Sequence, residues 1–317
     1  MSSLPGNQLC TKGVGSVVEW PRVSDHLFGP HPPVYDYAIP ITGTALVIIA
    51  GILVPHLWNL WSAKPAQQQR VWQTRTVAAV PLVIALFKFL ALVAPHVWKL
   101  LFLLIACFEV LAFWSFLKLI LGFVGSSDND ILEVLQRAAP TRMWTSPPLG
   151  CFFRACVTPR LPEQQDLLAI RVLVWQFIVL APATAAAEMS GSMPESVHLA
   201  LGRIEVASLL LAMYGLFAMM AMTYDVLEHY RCYSKFWMIK GTFIANTAIF
   251  RIARRFMQHD VLTGNTCYAK DTLAGAWAGV LTVVICLPLS VLCRYAFTSQ
   301  DFEGYGLLQE EAEPKQK

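Results

Sequence analysis

Residues 97–124 read VWKLLFLLIACFEVLAFWSFLKLILGFV. At about 1.5 Å per residue, a helix of this length crosses the roughly 30 Å hydrocarbon core of a bilayer. Lys99, Glu109 and Lys118 are its only charges, so it has no polar face of the kind a soluble surface helix presents. Working outward, six further stretches read as spans, at about 38–61, 76–95, 167–187, 197–224, 236–257 and 272–297. The span starting at Thr76 holds Lys88 and ends at Pro95, and the fourth carries Arg171 and Gln176. The sixth is the weakest, because Lys240, Asn246 and Arg251 interrupt it. A span that polar needs shelter from its neighbours.

The whole chain agrees with this reading. Its 317 residues are 56% apolar and only 14% charged, against about 25% charge in an average soluble domain. The expected fold is all-α, a polytopic membrane protein of seven transmembrane helices. Residues 1–36 form an extracellular polar tail, 37–297 the transmembrane domain and 298–317 a cytoplasmic tail. Residues 1–36 show no basic start followed by an apolar run, so the first span acts as its own insertion signal. Orientation follows from the loops. Lys64, Arg70 and Arg75 lie in 62–75; Arg137, Arg142, Arg154 and Arg160 in 125–166; Arg231 and Lys235 in 225–235. The opposite loops are poorer in Lys and Arg, which places the N-terminus outside and the C-terminus in the cytoplasm.

Several function classes drop out. A net charge of +3, with no basic cluster interleaved with aromatics, gives no nucleic-acid partner. Eight scattered cysteines without a CxxC pair give neither a zinc site nor a disulfide scaffold. No two histidines stand at HxxH or HxxxH spacing, and no P-loop or dinucleotide fingerprint is present. The expectation is a non-enzyme without metal or cofactor.

The cytoplasmic loop 125–166 has a distinct texture. Asp128–Ala138 reads as a short amphipathic helix, with Ser127 three residues ahead of Asp130 as an N-terminal capping signal. Pro147, Pro148, Pro159 and Pro162 then bracket Cys151 and Cys156. This segment follows Phe116-Leu117-Lys118-Leu119-Ile120-Leu121-Gly122-Phe123-Val124-Gly125 and leads through Pro159-Arg160-Leu161 into the fourth span. The order resembles the alpha subunit of the organic solute transporter and its seven-helix family, loosely over 37–297. Lys235-Phe236-Trp237-Met238-Ile239-Lys240, opening the sixth span, fits as well. The resemblance implies facilitative transport of amphipathic organic anions, such as sterol conjugates or bile-acid-like solutes, with a single-span beta subunit as partner. It also implies residence in the plasma membrane. The tail run Tyr305-Gly306-Leu307-Leu308 resembles an endocytic sorting signal, which is compatible with an endolysosomal membrane as well. The family's vertebrate members carry a dense run of cysteines where this chain has two.

Ionisable groups inside spans are the candidate site residues. Lys88 and Glu109 lie near the middle of two spans joined by the Pro95-His96 turn, at depths differing by about 7–9 Å at helical rise. They form either a neutralised pair or part of a substrate path. Lys240, Thr247, Arg251 and Arg254, spaced by 7, 4 and 3, share one helical stripe. That stripe either attracts an anion or snorkels to the two interfaces. Gln176 is either an interhelical hydrogen bond or part of the path. Cys151 and Cys156 are juxtamembrane and open to S-acylation, or are two reduced thiols. Cys10 and Cys267 fall outside, where an oxidising exterior permits a disulfide between them. Gly275 and Gly279 form a GxxxG that packs within the bundle or receives a partner helix. The contrasting reading of the whole chain is a non-transporting seven-helix receptor or lipid-regulated scaffold.

Overall fold

The computed structural model describes residues 33–62, 68–137, 140–145, 158–189, 194–227, 230–258 and 270–298. Among these the chain is helical, with a single antiparallel bridge between Thr141 and Arg160. In chain order the helices are α1 Pro33–Ser62, α2 Gln68–Ala78, α3 Val80–Val93, α4 Trp98–Val124, α5 Asp128–Arg137, α6 Gln164–Met189, α7 Glu195–Thr223, α8 Cys232–Gln258 and α9 Lys270–Ala296.

Five stretches are long and apolar enough to cross a membrane: Val34–Ser62, Pro95–Val124, Gln164–Ala187, Ala200–Thr223 and Leu273–Ala296. The pair Arg70–Ala78 and Val80–Val93, bent by 44°, makes a sixth if taken as one span. The cause of the bend is local. Ala79 N–H still reaches Arg75 O at 2.9 Å, but Pro81 has no N–H to offer the next turn and its ring crowds the preceding carbonyl. The stretch at 76–95, read above as one span, is therefore broken near its start. α8 has 27 residues, ample length, yet does not join the apolar set. Lys235, Lys240, Asn246, Arg251, Arg254 and Arg255 explain why.

The chain forms two compact units. The first comprises Met1–Gly51, Pro81–Phe102 and Gly241–Ser290. Its core gathers Tyr35 and Ala38 of α1, Leu92 of α3, Ala253 of α8, and Leu273, Ala274, Ala276, Ala278 and Val280 of α9. Small residues dominate, which lets helices approach closely without a hydrophobic force from lipid to drive them. A Cβ on Gly279 would meet the Leu92 side chain at 3.4 Å, whereas one on Gly275 would meet nothing within 4 Å. The two glycines of the GxxxG thus differ, and Gly279 packs inside this unit.

The second unit comprises Ile52–Val80, Leu103–Lys240 and Val291–Lys317. Here α6 lies along α7. Gly215 makes the close approach possible, since a Cβ there would stand 3.1 Å from Leu173 Cβ and 3.4 Å from Ile170 O. Gln176 Nε2 donates to Ser208 O at 2.8 Å, and Ser208 Oγ donates back to Gln176 Oε1 at 2.9 Å. Two polar side chains thereby satisfy each other away from water.

The segment between α4 and α6 is anchored at several points. Ser127 Oγ accepts from Asp130 N–H at 3.2 Å while Asp130 Oδ2 accepts from Ser127 N–H at 3.0 Å, the reciprocal cap expected of this sequence. Asp128 accepts two hydrogen bonds from the Arg171 guanidinium, at 2.5 and 2.6 Å, tying α5 to α6. Buried Asp166 takes Trp144 Nε1–H at 2.9 Å, Arg160 at 2.5 Å and Glu163 N–H at 2.9 Å. Tyr214 Oη then donates to Trp144 O at 2.6 Å, joining the segment to α7. Cys151 and Cys156 lie outside the described residues, as do Cys10 and Cys267. Cys286 and Cys293 are buried packing residues, and Cys107 is exposed.

Gly215→Ala drives a methyl into Leu173 and lowers thermal stability in detergent by about 1–3 kcal/mol. Gly275→Ala fills open space and is neutral or stabilising by up to about 1 kcal/mol, since alanine is the better helix former. The hydrogen bonds from Arg171 hold the Asp128 carboxyl below the usual carboxylate range. A depressed carboxylate adds stability above its unfolded pKa near 4, and that stability is lost as pH falls through the folded value. The protection of α5 amides, corrected for the intrinsic pH dependence of exchange, should hold from pH 7 to 5 and fall on acidification below about 4, and Asp128→Asn should show lower protection that varies less with pH.

Candidate functional site

α8 carries two lysines five residues apart, and the second unit treats them differently. Helical geometry turns positions five apart by about 140°, so they face different neighbours. Lys235 is completely buried. Its Nζ donates to Tyr230 O and lies over the rings of Phe123 at 5.5 Å and Phe297 at 5.4 Å. Phe123 in turn stacks on Tyr230, centroids 4.6 Å apart. The ammonium thus meets rings from α4 and from the chain just after α9, and a carbonyl from the turn before α8. Sequence reading placed Lys235 in a cytoplasmic loop. The structure instead puts it in the first turn of α8. The available signal was its neighbour Phe236, an apolar residue beginning a helical period.

Lys240 is only partly covered. Its Nζ stands 4.1 Å from the Phe217 centroid, 4.4 Å from Trp237 and 5.9 Å from Phe236. The rings brace one another, with Phe217 edge-on to Phe236 at 4.7 Å and Phe236 near Phe116 at 6.2 Å. α7 supplies Phe217, α8 supplies Phe236 and Trp237, and α4 supplies Phe116. Among the described residues these ring faces are the only partners of the Lys240 ammonium. A cation over an aromatic face gains about 0.5–2 kcal/mol. That stabilises the charged form without neutralising it. The arrangement offers one positive charge beside flat apolar faces.

The other residues singled out by sequence divide between the units. Lys88, Thr247 and Arg251 belong to the first unit, and Glu109, Gln176 and Lys240 to the second. Lys88 and Glu109 are each 8% exposed, and both have partners within the protein, as does Arg251. Thr247 and Arg251 are partly exposed on the same continuous helix as Lys240. Gln176 is committed to Ser208.

Two further features went unread in the sequence. The Phe217–Phe236–Trp237 frame needs α7 and α8 together, and linear spacing does not pair them. Arg231 has φ of 50°, the one left-handed non-glycine among the described residues, at a cost of about 1–2 kcal/mol.

Comparison with known proteins gives one result that covers most of the chain. The model of the family described as Organic solute transporter Ostalpha matches residues 38–302. No curated protein and no solved structure matches the chain.

The two lysine boxes differ in a measurable way. Lys235→Ala should lower detergent stability by about 2–5 kcal/mol through the cavity it leaves. Lys235→Met, which keeps the volume but removes the charge, its ring contacts and the donor to Tyr230 O, should recover the part of that loss due to the cavity. Thermal unfolding of the purified variants makes the comparison.

Proposed function

Because the chain belongs to the organic solute transporter Ostalpha family, we propose that it is a facilitative carrier of amphipathic organic anions, of the sterol-conjugate or bile-acid-like class. It acts as a seven-span protein of the plasma membrane, with α8 as the polar span, and works with a single-span partner subunit. The observation carrying the substrate class is the Lys240 ammonium over Phe217, Phe236 and Trp237. An amphipathic anion presents one charge and a broad apolar body, and this site presents the complement of both. Among the described residues only ring faces meet the ammonium, and an incoming carboxylate or sulfate would add a charge-assisted partner. Downhill movement requires binding that is firm enough to load and weak enough to release. A lysine braced only by rings meets that requirement better than one neutralised by a carboxylate. Thr247 and Arg251 continue the polar stripe along α8 beyond Lys240.

The test is uptake of a radiolabelled steroid sulfate into cells displaying the protein, with and without a beta-type subunit. Lys240→Gln should lower uptake at least about 10-fold at equal surface display, equivalent to about 1.4 kcal/mol. Lys240→Arg should retain part of it, and Trp237→Ala should weaken apparent affinity. An uncharged steroid should be moved poorly by the wild type and be indifferent to Lys240→Gln. Wild-type protein at the surface that moves no steroid sulfate under either condition would favour a receptor or scaffold instead.

A further inference from the structure

A small pocket of about 90 Å³ lies where α7 ends and α8 begins, wholly within the second unit. Thr223, Tyr224, Leu227, Arg231 and Tyr233 line it. Its volume suits a phosphate group and is far too small for a sterol. Arg231 is its cation. The guanidinium donates one hydrogen bond, from Nη1 to Tyr295 O at 2.8 Å, and stacks on the Tyr295 ring at 4.4 Å. Those contacts fix the plane of the fork and use one of its five N–H donors. The remaining donors have no other partner among the described residues. Tyr224 and Tyr233, 54% and 56% exposed, line the same pocket. The left-handed backbone at Arg231 is a strained conformation, and strain of that kind concentrates where a side chain must be aimed.

The surroundings indicate where an anion would come from. Trp58 and Trp61 near the end of α1, Trp72 in α2, Tyr224 after α7, Tyr233 at the start of α8 and Tyr295 at the end of α9 are all more than half exposed. Amphipathic aromatics gather at the headgroup level of a membrane. Each of these positions lies at a helix end that the count of loop lysines and arginines assigns to the cytoplasm. That leaflet carries the anionic lipids. We infer that Arg231, Tyr224 and Tyr233 form a binding site for the headgroup phosphate of an anionic phospholipid. The Arg231 fork takes the phosphate oxygens, the two hydroxyls complete the shell, and the acyl chains run along the exposed apolar surface of the helices. The site is separate from Lys240 and concerns what the protein rests on, not what it carries.

The experiment uses the full chain purified in neutral detergent, with thermal unfolding followed at increasing phosphatidylglycerol, phosphatidylcholine or inorganic phosphate. Ligand that binds the folded state alone raises the midpoint with concentration. Phosphatidylglycerol should raise it by several degrees and half-saturate at least about 5-fold below phosphatidylcholine, because the bulky cationic choline faces Arg231. Arg231→Gln should abolish that preference. Lys118→Gln, which removes an exposed charge over Trp114 outside the pocket, should keep it. Equal shifts by the two lipids, an intact preference in Arg231→Gln, or equal loss in Lys118→Gln would overturn the site. Inorganic phosphate alone giving the full shift would overturn the lipid assignment. Should Arg231→Gln not fold, Tyr224→Phe with Tyr233→Phe provides the second arm, expected to weaken half-saturation by at least about 3-fold. An unchanged value there would equally refute the proposal.

Discussion

An ammonium group buried away from water has to be matched by something in the protein, and α8 buries Lys235 and partly covers Lys240 in its first three turns. Desolvating such a charge with no compensation is prohibitive. The second unit surrounds both with aromatic faces. Phe116, Phe123, Phe217, Phe236 and Phe297 come from four different parts of the chain, and they converge on α8 because its lysines require it. The helix that hydropathy accepts least readily is therefore the one its neighbours are built around. Apolar spans such as α9 need only fit; α8 has to be solvated by the protein.

The glycines and the anchored segment serve the same end. Gly215 brings α6 against α7, which leaves the other side of α7 to present Phe217 to α8. Gly125 marks the end of α4, where a Cβ would stand 2.8 Å from Ile131 N. That close turn sends α5 back toward α6, where Arg171 receives Asp128. Asp166, with Trp144 and Tyr214, then holds the far end of the same segment on α7. A loop by composition is in this way tied at both described ends to the helix pair beside the aromatic frame.

Much of this was legible in the sequence, and the misses have physical reasons. Long apolar runs announced the helices at α1, α4, α6, α7 and α9, because bilayer thickness sets their length and lipid sets their composition. The Ser127–Asp130 cap was legible because its chemistry is local. The break before Pro81 was missed because a hydropathy window averages over a backbone defect. Lys235 was read as a loop residue because charge normally marks a helix end in contact with water. Its burial depends on Phe123 and Phe297, more than sixty residues to either side. Lys240 was found as a charge, but its aromatic frame was not, since cation–π partners on separate helices leave no spacing rule in the chain.

The contrast between the two lysines also bears on how selectivity would arise. Both are stabilised by rings, yet Lys235 also donates to a carbonyl and has no exposed surface. Its compensation is complete, and an anion would gain little by approaching it. Among the described residues Lys240 meets rings alone, and it is only partly covered. A site of that kind discriminates by charge and by shape together: a neutral apolar solute leaves the ammonium unmatched, and a small inorganic anion leaves the ring faces uncovered. On the proposed reading, only a solute with both parts satisfies the helix. One charge in a chain that is 14% charged can then set substrate class, because the surrounding medium offers an anion no competing partner.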